Sequence, residues 1–196
     1  MTSHGLPSLP DNHDRLVVIT GGPGSGKTTL IGALKAAGFD TTVEAGRAII
    51  QDQVARGGRA LPWRDPLAFA ELMLDWEMRS YRTARQHAGP VFFDRGVPDV
   101  IGYLRLMRVA VPAHMTNAAE VYRYRRRVFI APPWREIFTQ DTERRQDFAE
   151  AERTYQALAE TYRHLGYELV ALPRVGVAER LRFVLDEMER GAAGMS

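Results

Sequence analysis

The 196 residues are 45% hydrophobic and 26% charged, with Lys+Arg 26 against Asp+Glu 24 and no cysteine. This composition predicts one soluble globular domain with a real core, and excludes disulfide scaffolds, thiolate zinc sites and cysteine nucleophiles. No apolar run approaches the ~18 residues that span a bilayer, and a net charge of +2 neither demands nor excludes nucleic acid.

Residues 1–14 are polar, carry two prolines and lack the apolar centre of a secretory signal, so they read as a loose tail on a cytoplasmic protein. The expected organisation is a single domain over residues 15–190, with 191–196 as a second tail.

The domain reads as alternating strands and helices. Residues 15–20 (RLVVIT) form a nearly continuous β-branched run, the mark of a strand buried on both faces. A Gly-rich turn leads to a helix from Lys27 with Leu30, Leu34 and Ala37 on one face, closed by Gly38. Residues 41–43 (TTV) are a short second strand, and 45–55 a helix stopped by Gly57-Gly58. Asp65-Pro66 is an N-cap followed by proline at the first helical position. The helix it opens places Leu67, Ala70, Leu74, Met78 and Tyr81 on one stripe and ends before Gly89-Pro90.

A third strand, 91–94 (VFFD), ends in an acid; helices over 99–108 and 112–122 follow. Residues 128–130 make the fourth strand, 142–164 a long helix, 167–172 the fifth strand and 177–190 the closing helix. Strands separated by helices require right-handed crossovers and a parallel sheet covered on both faces. The fold class is therefore α/β, three-layered, with five parallel strands.

Gly21-Gly22-Pro23-Gly24-Ser25-Gly26-Lys27-Thr28 fits G-x-x-x-x-G-K-[ST] in full, between a strand and a helix. Chance supplies this pattern in roughly one chain in a hundred of this length. Glycines let successive N–H groups turn around a phosphate, and the helix N-terminus adds unpaired donors and the positive end of its dipole. Residues Gly22, Pro23, Gly24, Ser25, Gly26, Lys27, Thr28 and Thr29 are the expected contacts to ATP. Of the 26 basic residues only Lys27 and Lys35 are lysine, so Lys27 stands where a compact mobile charge does what a planar guanidinium cannot. The Thr28 hydroxyl is an expected Mg²⁺ ligand.

A P-loop protein needs a second carboxylate near Mg²⁺, at the end of a neighbouring strand. Asp94 is the candidate; its alternative role is the N-cap of the helix near Pro98. Glu44, directly after the second strand, is placed to accept a substrate proton, or else is a first-turn helix residue paired with Arg47. Trp63 and Trp134 each follow a proline and read as loop-packing anchors or as base-stacking platforms. The run 123–127 (RYRRR) reads as the solvated end of a helix, or as a weak docking surface for nucleic acid or anionic lipid. The five histidines show no metal-ligand spacing.

No N-K-x-D or T-K-x-D string reads guanine, no L-S-G-G-Q marks a transporter ATPase, and there is no room for the helical lid domain of a ring-forming motor. Residues 19–29 (ITGGPGSGKTT), 44–47 (EAGR), 93–96 (FDRG), 132–134 (PPW) and 166–169 (GYEL) together resemble a family of compact bacterial AAA-type P-loop ATPases related to the ribosylnicotinamide kinase domain. The pair Asp94-Arg95 resembles the acid–Arg pair of deoxynucleoside kinases, which implies that Arg95 approaches the reacting oxygen of the substrate. In P-loop kinases the interval after the fourth strand is a lid whose arginines close over the transferring phosphoryl group. That resemblance implies a short lid here, with Arg144 and Arg145 as the first choices and Arg135 third.

The expected activity is Mg²⁺-dependent transfer of the ATP γ-phosphoryl group to the hydroxyl of a small, nucleoside-like molecule. Lys27, Glu44, Asp94, Arg95, Arg144 and Arg145 are the expected catalytic residues, with Thr28 and Asp94 on the metal and the base left open between Glu44 and Asp94. The alternative is a regulatory module with slow ATPase activity, acting through a protein or membrane partner.

Overall fold

The computed structural model describes residues 13–138 and 147–193. A short 3₁₀ turn leads into β1 (Leu16–Gly21), whose Leu16, Val17, Val18 and Ile19 are at most 1% exposed because neighbours cover both faces. There follow α1 (Lys27–Ala36), β2 (Asp40–Thr41), α2 (Ala45–Ala55), α3 (Pro66–Ala84), β3 (Val91–Asp94), α4 (Val97–Leu106) and α5 (Ala113–Val121). The chain continues through β4 (Arg127–Ala131), a second 3₁₀ turn, α6 (Phe148–His164), β5 (Glu168–Ala171) and α7 (Val177–Ala193). Among the described residues five strands form one parallel sheet, as the sequence predicts, and the structure gives their order as β2-β3-β1-β4-β5.

Two cores flank the sheet. Val17, Ile19, Phe92 and Phe129 point to α1 and α7, meeting Leu30, Leu34 and Val184. Leu16, Val18, Phe93 and Val128 point the other way, into the core shared with α2 to α5 and with Tyr162 of α6. This alternation is the period of two expected of strands. Each fully buried phenylalanine contributes roughly 1.5–3 kcal/mol by leaving water. Gly102 lets α4 lie close against α6, since a Cβ there would come within 2.7 Å of Leu158.

Several boundaries differ from expectation. β2 is one residue earlier and only two long: the Thr42 N–H still donates to the Phe92 carbonyl, but Val43 already turns outward, 67% exposed, toward the cap of α2. The buried face of α3 includes Phe69, Met73 and Glu77 beside Ala70, Leu74 and Tyr81, while Leu67 is exposed, because the helix packs on both α2 and α4. α4 starts two residues early, at Val97, with the Asp99 carboxylate accepting the Gly96 N–H at 2.9 Å. α6 begins at Phe148, where Asp147 is extended and caps the helix by accepting the Glu150 N–H; the expected start at Thr142 lies outside the described residues. Ala37 follows the last residue of α1 as its exposed cap.

The run at 123–127 is not a solvated helix end. α5 stops at Val121, and Tyr124 is buried against Phe93 and Tyr81. The Arg123 guanidinium lies 4.2 Å over the Tyr167 ring and donates to the Leu165 carbonyl. Arg125 donates to the Met188 carbonyl, and Arg127 pairs with Glu187 at 2.6 Å. Arg126 points outward toward Glu168 at 3.7 Å, with its side chain 76% exposed. The run fastens β4 to its surroundings at the amino ends of the strands. No helix among the described residues is long and apolar enough to cross a membrane.

Candidate active site

A parallel sheet brings every strand's carboxyl end to one edge, and the candidate residues gather there. Register sets Ile19 beside Asp94 and Gly21 beside Ala131, so the P-loop opens between the ends of β3 and β4. Gly24 and Gly26 of the P-loop have φ of +65° and +79°, a region costly for residues with a Cβ. The Ser25 hydroxyl and the Lys27 ammonium both donate to the Gly22 carbonyl at 2.8 Å. Thr28 and Thr29 line the cavity beside the loop.

Asp94 is 4% exposed, and its backbone N–H donates to the Thr42 hydroxyl. One carboxylate oxygen, Oδ1, is buried without a hydrogen-bond partner. Burial pushes the Asp94 pKa up, opposed by the Lys27 charge. The helix near Pro98 is capped by Gly96 and Asp99, so Asp94 does not cap it. An orphaned buried acceptor within reach of the P-loop Lys27 charge is a donor type that fits a hard cation such as Mg²⁺.

Arg95 has φ +77°, a strained conformation for a residue with a Cβ. Its guanidinium reaches Glu44 Oε1 at 3.2 Å and Asp99 Oδ1 at 3.3 Å. Burial works against its charge, but Glu44 and then Asp99 overcome this, and the pKa is raised. Glu44 is the N-cap residue of α2, outside the helix proper, and it forms an ion pair with Arg95.

Two cavities meet at this pair. The larger, about 650 Å³, is lined by the P-loop, Lys27, Arg47, Trp134 and Arg180. The smaller, about 250 Å³, is walled by Trp63, Phe69, Met73 and Leu158, with Glu77, Asp99 and Tyr103 among them. Glu44 and Arg95 line both. The two tryptophans stand on different cavities: Trp63 is 60% exposed on the apolar one, and Trp134 lies 4.8 Å from the Arg180 guanidinium on the other.

Arg135 stacks 4.1 Å over the Phe148 ring at the start of α6. Arg144 and Arg145 lie outside the described residues. Among the described residues, no group of histidines and carboxylates has the makings of a metal cluster.

Three participants escape sequence reasoning. Arg180 is 2% exposed; its Nη1 donates to the Ser25 carbonyl at 2.7 Å and its Nε to the Pro173 carbonyl, tying α7 to the P-loop. No spacing rule marks it. Asp99 accepts from Thr20, Tyr162, Gly96 and Arg95, and so anchors β1, α6 and the start of α4 at one point. Glu77 had a signal: a lone carboxylate on the apolar stripe of α3, four residues after Met73 and four before Tyr81.

A family model described as "AAA domain" matches residues 16–180. The chain belongs to that family. As an AAA domain with a P-loop it is a nucleotide-binding protein of the P-loop kind. Its fold is similar to that of the deoxyadenosine kinase from M. mycoides with bound dATP: TM-score 0.58, 11% identity, covering 89% of this chain and 99% of that one. It is also similar to the NadR protein in complex with NR: TM-score 0.62, 16% identity, covering 88% of this chain and 51% of that one. At such identities the likeness is one of fold. A nucleotide-binding protein of Granulibacter bethesdensis is 43% identical over 60 residues, 31% of this AAA domain chain and 17% of that protein's length.

Proposed function

We propose that this AAA domain protein is a Mg²⁺- and ATP-dependent kinase that phosphorylates the hydroxyl of a small, nucleoside-like molecule. The observation that carries this reading is the Glu44–Arg95 pair on the wall common to two unlike cavities, one cationic and one apolar. A stand-alone ATPase has no use for the second cavity. Residues 22–29 hold the triphosphate, with Lys27 as the mobile charge on its outer phosphates. Thr28 and Asp94 would hold Mg²⁺, which neutralises charge across the β- and γ-phosphates when bound.

Glu44 is the base, because it lines both cavities while Asp94 lines neither. The acceptor oxygen forms its bond to the γ-phosphorus as the bond to the ADP oxygen breaks, and the acceptor proton passes to Glu44. Arg95, fixed by Glu44 and Asp99, orients the acceptor and offsets the charge that builds on its oxygen. ADP release from Mg·ATP, alone and against pools of nucleosides, nucleotides and sugars, tests the reading. A pool that raises the rate at least tenfold is the expected outcome; uniformly slow release with tight ATP binding overturns it.

A further inference from the structure

The smaller cavity has a charge balance opposite to that of its neighbour. Even with Glu77 set aside, Glu44, Asp99 and Glu150 line it, against Arg95 as the one cation among its described lining residues. Arg95 is already held by Glu44 and Asp99. A phosphate brought here would meet carboxylates and find no uncommitted guanidinium in the described wall, an arrangement that costs like-charge repulsion and desolvation.

Apart from these acids, Arg95, Thr154 and Tyr103 the walls are apolar, with Phe69 and Met73 buried and the Trp63 ring at the rim. Two of the polar groups stand out. Glu77 is 3% exposed on the buried face of α3, among the charges of Asp99, Arg95, Asp94 and Glu44. Burial and then Asp99 raise its pKa well above the ordinary carboxylate value, against the Arg95 charge, and so favour the protonated form with one O–H donor and one carbonyl acceptor. The Tyr103 hydroxyl, in the same wall, is buried without a hydrogen-bond partner among the described residues. A buried hydroxyl left unpaired is an energetic cost that a ligand group can remove.

We infer that the apolar cavity takes an unphosphorylated, ring-bearing alcohol without negative charge, whose polar ring edge is gripped by Glu77 and Tyr103. This rests on the kinase reading for the direction in which the alcohol points, toward Glu44. The grip itself is independent of phosphoryl transfer: both residues are positioning groups for the ring and take no part in the transfer. The pattern of an apolar box with few convergent polar groups is that of a small-molecule site.

The test is calorimetric titration of the full chain, with the P-loop saturated by Mg²⁺ and a non-hydrolysable ATP analogue. The probes are adenosine, cytidine, thymidine and nicotinamide riboside, each paired with its own 5′-monophosphate. At least one alcohol should bind with Kd below about 1 mM, and its phosphate at least tenfold more weakly. Tyr103→Phe should weaken that alcohol about three- to tenfold while leaving affinity for the ATP analogue and the melting temperature unchanged, since the hydroxyl has no partner among the described residues. Glu77→Leu should weaken it by at least tenfold without lowering the melting temperature, and Glu77→Gln should recover part of the loss. Phosphates that bind as tightly as the alcohols, a panel in which nothing binds, or an affinity unmoved by both Tyr103→Phe and Glu77→Leu overturns the inference. An alcohol that binds as expected but never accelerates ADP release leaves the inference standing and removes the kinase reading instead.

Discussion

On one side of the Glu44–Arg95 pair the cleft wall is a glycine-rich loop with Lys27, Arg47 and Arg180; on the other it is Phe69, Met73 and Leu158 with acids at the edges. The first half is made by a contiguous stretch of chain whose backbone does most of the binding, and it suits any triphosphate. The second is assembled from α2, α3, α4 and α6, and its selectivity lies in side chains. A shared chemical step requires that the two communicate, and the Arg95 guanidinium bridging Glu44 and Asp99 is the physical link.

The largest effects should come from breaking the phosphate half alone. Lys27→Ala is expected to lower turnover by at least a hundredfold and to weaken ATP, while leaving calorimetric binding in the apolar half intact. Loss of both binding functions together would mean that the halves are not separate. Asp94→Asn should keep the fold and cost turnover by about a hundredfold or more in Mg²⁺. A circular dichroism melt should show no loss of stability, because the buried carboxylate is itself a burden on the fold.

Next in size is a change confined to the apolar half. Trp63→Ala removes a ring that is 60% exposed, so stability should move by no more than about 0.5 kcal/mol. Acceptor affinity should fall, with ATP binding unchanged by the same titration.

Glu77 offers a pH signature. Its folded pKa lies above the ordinary 4.5, so between those two values the folded state binds the extra proton. Stability from this group is present below 4.5 and is lost as pH rises from there through the folded pKa. Denaturant titrations of wild type and Glu77→Gln across pH 4 to 8 should therefore show a steeper decline in the wild type, by about 1.4 kcal/mol for each pH unit crossed within that interval. Equal slopes would mean that Glu77 is charged in the folded protein.

The smallest effects belong to the opposite edge. Arg126→Ala, with its side chain 76% exposed, should change stability by less than about 0.5 kcal/mol. Arg127→Ala should cost about 1–2 kcal/mol, because it leaves the largely buried Glu187 carboxylate to the exposed Arg190. Neither change should alter turnover.

The P-loop, the strand that feeds it, the proline-opened α3 and the acid at the end of β3 were all legible in the chain, since each is a local pattern with a local cause. A strand buried on both faces must be apolar throughout, a phosphate loop must contain glycine, and an Asp-Pro pair caps a helix whatever it packs against. What local pattern could not carry is the relation between segments. The Arg123–Arg127 run is basic in any context, but only packing turned Tyr124 inward and laid Arg123 on Tyr167. Arg180 sits 155 positions from Ser25, and no periodicity joins them. The same holds for Glu77, whose charge state depends on Asp94, Asp99 and Glu44 arriving from two other places in the chain. The sequence alone determined the nucleotide half, because backbone geometry and a helix terminus are local properties. The tertiary structure decided the apolar half, because burial, charge balance and the shape of a cavity exist only once distant segments share a wall.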